Sequence, residues 1–243
     1  MTLNGDGLEP GLLFSGSRNN GPVLLLRAPA AYRPQGDTWL LADALADELS
    51  SVDVAGLRVL DLCAGSGAVA VSAARLGAGD VTAVDVSRRA VAAAWLNARC
   101  RGLNVRVHRG DLLGPVAGRR FDVITANPPY VPSATERLPT RGAARCWDAG
   151  TDGRAVLDRI CVEAPSLLVP GGVLLMVFSS LCGVDQTLER LGALGMEAVE
   201  VGRSRQPFGP VMSARATMLE SRGLVEPGQR WEELVVLRGR KAS

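Results

Sequence analysis

Between residues 57 and 127 the chain alternates short apolar runs with stretches whose apolar residues recur at helical spacing, and this alternation leaves few folds open. "LRVLDL" (57–62), "DVTAVDV" (80–86), "NVRVHRG" (104–110) and "FDVITAN" (121–127) read as strands. "GAVAVSAARL" (67–76) and "SRRAVAAAWLNARC" (87–100), the second capped by Ser87, read as helices. The pattern extends in both directions. A helix is expected from Asp37, taken as its N-cap, through "TWLLADALADEL", and another from Asp152 to Leu168. Then come a strand at "GGVLLMVF" (171–178), a helix over 184–194, a strand at 198–201 and a last strand at "ELVVLRG" (233–239). Strands separated by helices build right-handed βαβ units. The expected architecture is α/β: a doubly wound, mostly parallel, seven-stranded Rossmann-like sheet with helices on both faces. Such sheets bind ligands at the carboxyl ends of their strands, near the point where strand order reverses.

The chain has 243 residues, 47% of them apolar and 21% charged, which suffices for one domain with a buried core. That domain is expected over 31–243, after an irregular, Gly- and Pro-punctuated extension (1–30). Within the extension, "PVLLLRAP" (22–29) reads either as a lid or as an added edge strand. The best apolar stretch, Ser166 to Phe178, is cut by Pro170-Gly171-Gly172, so no membrane span is expected. Asp6 and Glu9 stand where a signal peptide would carry bases, which points to the cytoplasm. A formal charge of only +2 and 4% aromatic residues argue against a nucleic-acid partner. Five cysteines without a C-x-x-C pair, and a single histidine, make no metal site.

The first strand ends in "DLCAGSGAVA" (61–70). Gly65-Ser66-Gly67 lets the backbone turn tightly and approach a ligand. Gly65, Gly67 and Ala70 also fit the dinucleotide fingerprint, which taken alone is a weak signal. Asp85 ends the second strand, where a carboxylate accepts both hydroxyls of a ribose. Asp111 follows the third strand, with Leu112 beside it, placed to accept from an adenine amine; Asp61 adds a third acid. One Asp at a strand end is as well explained by capping. Three around one turn suit a nucleoside with a cationic centre and an amino-acid tail better than a pyrophosphate, which favours S-adenosylmethionine over a nicotinamide dinucleotide.

The fourth strand runs into Asn127-Pro128-Pro129-Tyr130. It cannot continue through two residues without an N–H. The reading puts Asn127 beside Asp111 of the third strand, over the methyl end of a bound cofactor. A planar NH2 is a poor nucleophile because its lone pair is delocalised. Two acceptors on its hydrogens, the Asn127 side-chain oxygen and the Pro128 carbonyl, would orient it and favour a more tetrahedral nitrogen. Pro129 withholds a competing donor, and Tyr130 offers a face to a planar group. Catalysis would then be mostly positioning and polarisation. An isolated N-P turn is common; placed after the fourth strand of this fold, it points to an N-methyltransferase.

With this motif the chain resembles the HemK-type class I methyltransferases, whose hallmark is N-P-P-Y and which include protein-glutamine methyltransferases acting on peptide-release factors. The resemblance covers nearly everything after residue 30. "AYRPQGDTWLLADAL" (31–45) is similar to the family's entry segment, which implies that Thr38 contacts the cofactor's amino-acid end. "CWDAGTDGRAVLDR" (146–159) is similar to the segment following N-P-P-Y. The short branch of the family is the nearer match. Gly36 stands where an acidic residue is usual, Asp148-Ala149 where small residues are, and 205–233 is longer than the corresponding tail. The resemblance implies a protein-glutamine acceptor, a release-factor-like substrate, and a small activating partner protein of the kind some relatives use. A small-molecule acceptor and a base amine such as adenine stay open as alternatives; for the latter, Arg137, Arg141 and Arg145 stand near the mouth.

Overall fold

The computed structural model describes residues 32–243, together with the backbone of 12–17 and 21–26. Two strands, β1 (Leu12–Ser17) and β2 (Gly21–Leu26), pair antiparallel as a hairpin with Leu12 opposite Leu26. This corrects the expectation of an irregular stretch there. It also removes the edge-strand reading, because β2 pairs with β1 and not with the main sheet. The rest of the expected extension lies outside the described residues.

The main sheet holds β3 (Arg58–Leu62), β4 (Asp80–Asp85), β5 (Val105–Arg109), β6 (Phe121–Ala126), β7 (Leu168–Ser179), β8 (Met196–Pro207) and β9 (Trp231–Lys241). Their order across the sheet is β5-β4-β3-β6-β7-β9-β8. The pairs β3–β4, β4–β5, β3–β6 and β6–β7 are parallel, whereas β9 runs antiparallel to both of its neighbours. The expected doubly wound sheet of seven strands is present. After β5 the chain returns from the edge to the middle, so β3 and β6 are neighbours whose carboxyl ends face the same side. That reversal corrects one expectation: Asn127, just past β6, stands beside β3 and β7, with two strands, β4 and β3, between it and β5 with Asp111.

The helices are α1 (Gly36–Leu49), α2 (Ala68–Arg75), α3 (Arg88–Arg99), α4 (Leu157–Glu163), α5 (Val184–Ala193) and α6 (Pro210–Ser221). Alternate residues of β7 point to opposite faces, as the period of a strand requires. Val173, Leu175 and Val177 meet Leu41 and Leu45 of α1 on one face, and Leu174, Met176 and Phe178 join Leu157 and Ile160 of α4 on the other. Both sets are buried, which makes β7 the centre of the core.

Among the boundaries that differ from the sequence reading, three bear on the site. Gln35, not Asp37, is the N-cap of α1, and Asp37 lies buried in the first turn. The helix expected from Asp152 to Leu168 spans only Leu157–Glu163: bends and turns precede it, with Gly150 and Gly153 at φ of +84° and +78°, and Leu168 already opens β7. Finally, 205–233 contains the end of β8 and the whole of α6. Pro210 in the first turn of α6 suits a helix start, where an N–H has no partner to lose.

Candidate active site

A cavity of about 410 Å³ opens along the carboxyl ends of β3, β4, β5 and β6. One half of it is built from the first two βα turns. Gly65 has φ +55° and lines the cavity; a side chain there would meet Tyr32 Cβ at 3.6 Å. Its N–H donates to Asp85 Oδ2 at 2.9 Å, and the Ser87 N–H donates to Oδ1 at 2.8 Å. Ser87 also caps α3, as expected, its hydroxyl accepting from Ala90. Burial raises the Asp85 pKa, and the N–H groups of Ser87 and Gly65 pull the other way. A carboxylate has about four acceptor positions, so Asp85 keeps capacity for hydroxyls of a ligand on its cavity side.

Asp111 and Leu112 also line the cavity, and Leu112 holds a strained φ of +44°. The Asp111 side chain is 65% exposed and receives both Nη atoms of Arg159, at 3.2 and 2.9 Å. Three of the expected cofactor residues stand behind the lining. Asp61 is buried: Oδ1 accepts from Thr125 Oγ1 at 2.8 Å and Oδ2 from the Ala70 N–H at 3.1 Å. Burial pushes its carboxyl up to about 7. It therefore props the Gly-rich turn from beneath and does not reach the cavity. Gly67, at φ +80°, faces α3, where a Cβ would come within 2.8 Å of Ala94 Cβ. Thr38 is buried and touches Asn127.

The other half is assembled around the end of β6. Asn127, Pro128, Pro129 and Tyr130 all line the cavity. Asn127 Nδ2 donates to Thr38 Oγ1 at 3.5 Å, and Thr38 Oγ1 donates to Asp37 Oδ1 at 3.2 Å. The Thr38 N–H meets the same oxygen at 2.6 Å. With its nitrogen turned to Thr38, the Asn127 amide has its oxygen on the opposite arm. Asp37 Oδ2 accepts from Tyr32 Oη at 2.6 Å and from Tyr130 Oη at 3.2 Å. Burial, then the Asp37 charge, holds both phenols well above their ordinary pKa, so both stay donors. The ring of Tyr130 is thus fixed by its hydroxyl.

The backbone after Tyr130 is held by 147–154. Val131 donates to Trp147 O at 2.8 Å, Ala149 to Val131 O at 3.2 Å and Ser133 to Gly150 O at 2.8 Å. Gly153 fits directly under the motif: a Cβ there would collide with Tyr130 O and come within 2.8 Å of Cys182 Sγ. Cys182 Sγ donates to the Tyr130 carbonyl at 3.1 Å. Buried Arg154 anchors the segment to Cys182 O, to Gly183 O at 3.1 Å and to Thr187 Oγ1 at 3.0 Å. Of the three arginines expected near the mouth, Arg145 lines the cavity and Arg137 and Arg141 do not. Sequence reasoning missed Asp37 as a hub, Tyr32, and Cys63, which lines the cavity at φ +55°. Asp37 carried a signal, a carboxylate within five residues of a tyrosine, but its second partner is 93 residues away.

Residues 35–140 match the family described as methyltransferase small domain. A chain of Methanocaldococcus jannaschii, provisionally named a protein N5-glutamine methyltransferase, is 35% identical over 79% of this chain and 93% of its own length. The chain belongs to the HemK-type methyltransferases. It is an enzyme of that family, and its methyl donor is S-adenosylmethionine. The mouse methyltransferase HEMK2 is 36% identical over 60% of this chain and 70% of its own. The release factor glutamine methyltransferase of Gloeobacter violaceus is 37% identical over 60% of this chain. The chain spans only 53% of that relative's length. Among solved structures, a Thermus thermophilus 16S rRNA methyltransferase with bound AdoMet and guanosine shares the fold at a TM-score of 0.62 and 21% identity, over 95% of this chain and 50% of its own. No helix among the described residues is long and apolar enough to cross a membrane.

Proposed function

We propose that the enzyme methylates the side-chain amide nitrogen of a glutamine in a protein, with a release-factor-like protein as the acceptor. The observation that carries this reading is the Asn127 amide, oriented by Thr38 so that its oxygen is left for an acceptor's N–H. The Pro128 carbonyl supplies the second acceptor, and the fixed Tyr130 ring lies against the planar amide. Two acceptors on one NH2 align its nitrogen; the proton is lost to solvent after transfer, so no side-chain base is needed. The names of the relatives, protein and release-factor glutamine methyltransferases, support this acceptor class. A cytoplasmic setting belongs to the same reading.

The cavity residues fit the donor. Asp85, with acceptor capacity on its cavity side, would take the ribose hydroxyls, the turn at Gly65 would border the amino-acid end, and Leu112 would pack on the base. Asp111 would receive the adenine amine beside its Arg159 contact. Asp61, Gly67 and Thr38 act one layer back, holding the turn and Asn127. When bound, S-adenosylmethionine supplies an electrophilic methyl group; the chain's part is to hold it and to present the acceptor. A small activating partner is included in the proposal, because an E. cuniculi relative of the same fold (TM-score 0.58, 21% identity) is solved as a Mtq2–Trm112 complex responsible for methylating the termination factor eRF1.

The test is transfer of labelled methyl to a release factor carrying a glutamine acceptor, with and without cell extract. Label is expected on the release factor, absent when that glutamine is replaced by alanine. Asn127→Ala is expected to lower transfer by about 100-fold or more while leaving cofactor affinity unchanged. Label confined to small molecules or to nucleic acid would replace the proposed acceptor.

A further inference from the structure

We propose that Arg215, on α6, is a positioning residue for the acceptor side of the site, acting as a latch between the two segments that form its wall. This rests on the reading that the backbone after Tyr130 faces the acceptor.

Arg215 Nη1 donates to the Pro132 carbonyl at 2.9 Å, and Nη2 donates to Asp148 Oδ1 at 2.6 Å. One planar guanidinium thus touches both segments joined by an isolated β-bridge. Val131 and Asp148 are bridged in parallel, and Asp148 lines the cavity. The pair is mostly withdrawn from water, with side-chain exposures of 23% and 17%, so it is not one of the solvated surface pairs that contribute little. Seven residues on, Arg222 donates to Ser133 O at 2.8 Å and to Ala134 O at 3.2 Å. Two helical turns separate these arginines, which puts them on one face of α6 and its end. That face takes the carbonyls of 132–134 that the 147–150 segment leaves unbound. Buried Met212, Ala216 and Leu219 seat α6 itself on the core.

The fork fixes the distance between Pro132 and Asp148, and with it the wall beyond Tyr130. A transferable amide must lie within a fraction of an ångström of its attack geometry, and a misplacement of about 1 Å costs about 100-fold. Lysine would keep the charge but could not span both partners with the same geometry.

The experiment compares Arg215→Gln, Arg215→Lys, Asp148→Asn and the Arg215→Gln/Asp148→Asn double variant with the wild type. Acceptor kcat/KM is expected to fall by about 10- to 100-fold in each glutamine or asparagine single variant, with S-adenosylmethionine affinity within about twofold of wild type. Arg215→Lys is expected to fall in between. The double variant is expected to lose no more than the worse single one, because both remove the same contact. Amide hydrogen exchange at Val131 and Ser133 is expected to quicken, a readout that needs no acceptor. Unchanged acceptor kinetics, an equal loss of cofactor affinity, multiplicative losses in the double variant or unchanged exchange would each overturn the latch. If Arg215→Gln does not fold, Arg215→Lys and Asp148→Asn decide by the same readings. If the wild type labels no glutamine, the proposed acceptor fails; the latch is then judged by exchange and by whichever acceptor in a cell extract takes the label.

Discussion

The two halves of the cavity are made in opposite ways. The half around Gly65 and Asp85 comes from one continuous stretch, β3 to the start of α3, and its key bonds join residues 2 and 20 apart. The half around Asn127 is collected from the first turn of α1, the end of β6, the 147–154 segment, Cys182 and α6. Its bonds join residues 89, 93, 52, 83 and 67 apart. A site closed locally is set as soon as its βα units form. A site closed over long separations is set only when the whole sheet is in place, and it is more exposed to distant substitutions.

The sharpest way to break this comparison is Gly153→Ala. The new methyl meets the Tyr130 carbonyl and Cys182 Sγ, at a φ of +78° that alanine disfavours. A cost of about 2–5 kcal/mol is expected from the crowding and the backbone together. Transfer should collapse in that variant while titration calorimetry still detects cofactor binding; loss of both together would show that the halves are not separable. Asp85→Ala is the mirror experiment. It removes the partner of the Gly65 N–H and, on the proposed reading, the ribose acceptor, so cofactor affinity should weaken by about 1.5–3 kcal/mol. Exchange at Val131 and Ser133, on the other half, should be unaffected.

A third effect, away from the cavity surface, concerns Asp61 and runs through pH. Its folded pKa of about 7 lies above the ordinary value of 3.8, so the folded state holds a proton that the unfolded state releases. Its contribution to stability is therefore fully present below the ordinary value and declines as pH rises toward about 7. Asp61→Asn keeps the neutral form at every pH. Thermal melts should show the variant melting above wild type at pH 8, with the difference closing by pH 4. A wild-type melting curve flat across that range would contradict the assignment.

The same contrast decided what could be read from the sequence. The strand–turn–helix units, Gly65, Asp85 and the Ser87 cap were legible because each is a local pattern with a local cause. The Asn127-Pro128-Pro129-Tyr130 motif was legible as part of a cavity wall but misplaced in space. The sequence reading set Asn127 beside Asp111, since order along the chain does not reveal that β6 returns to the middle of the sheet. Asp61 and Thr38 were singled out as polar residues near the site, yet only packing distinguishes a residue that lines a cavity from one that props its wall. The helix α6 was missed because its buried residues, Met212, Ala216 and Leu219, keep helical spacing but are interspersed with Val211, Ala214 and Met218, which blur the apolar stripe. Two of the positions that depart from the family's pattern turn out to touch the long tail. Asp148 pairs with Arg215, and a Cβ at Gly36 would come within 2.5 Å of Gln206 Oε1.

The chain contains only two tyrosines, and the hydroxyls of both end on the same carboxylate oxygen of Asp37. A fluorine label introduced through tyrosine would therefore yield two resonances, both originating at the wall beside Asn127. Without a single engineered residue, the protein carries a spectroscopic probe confined to one wall of its cavity.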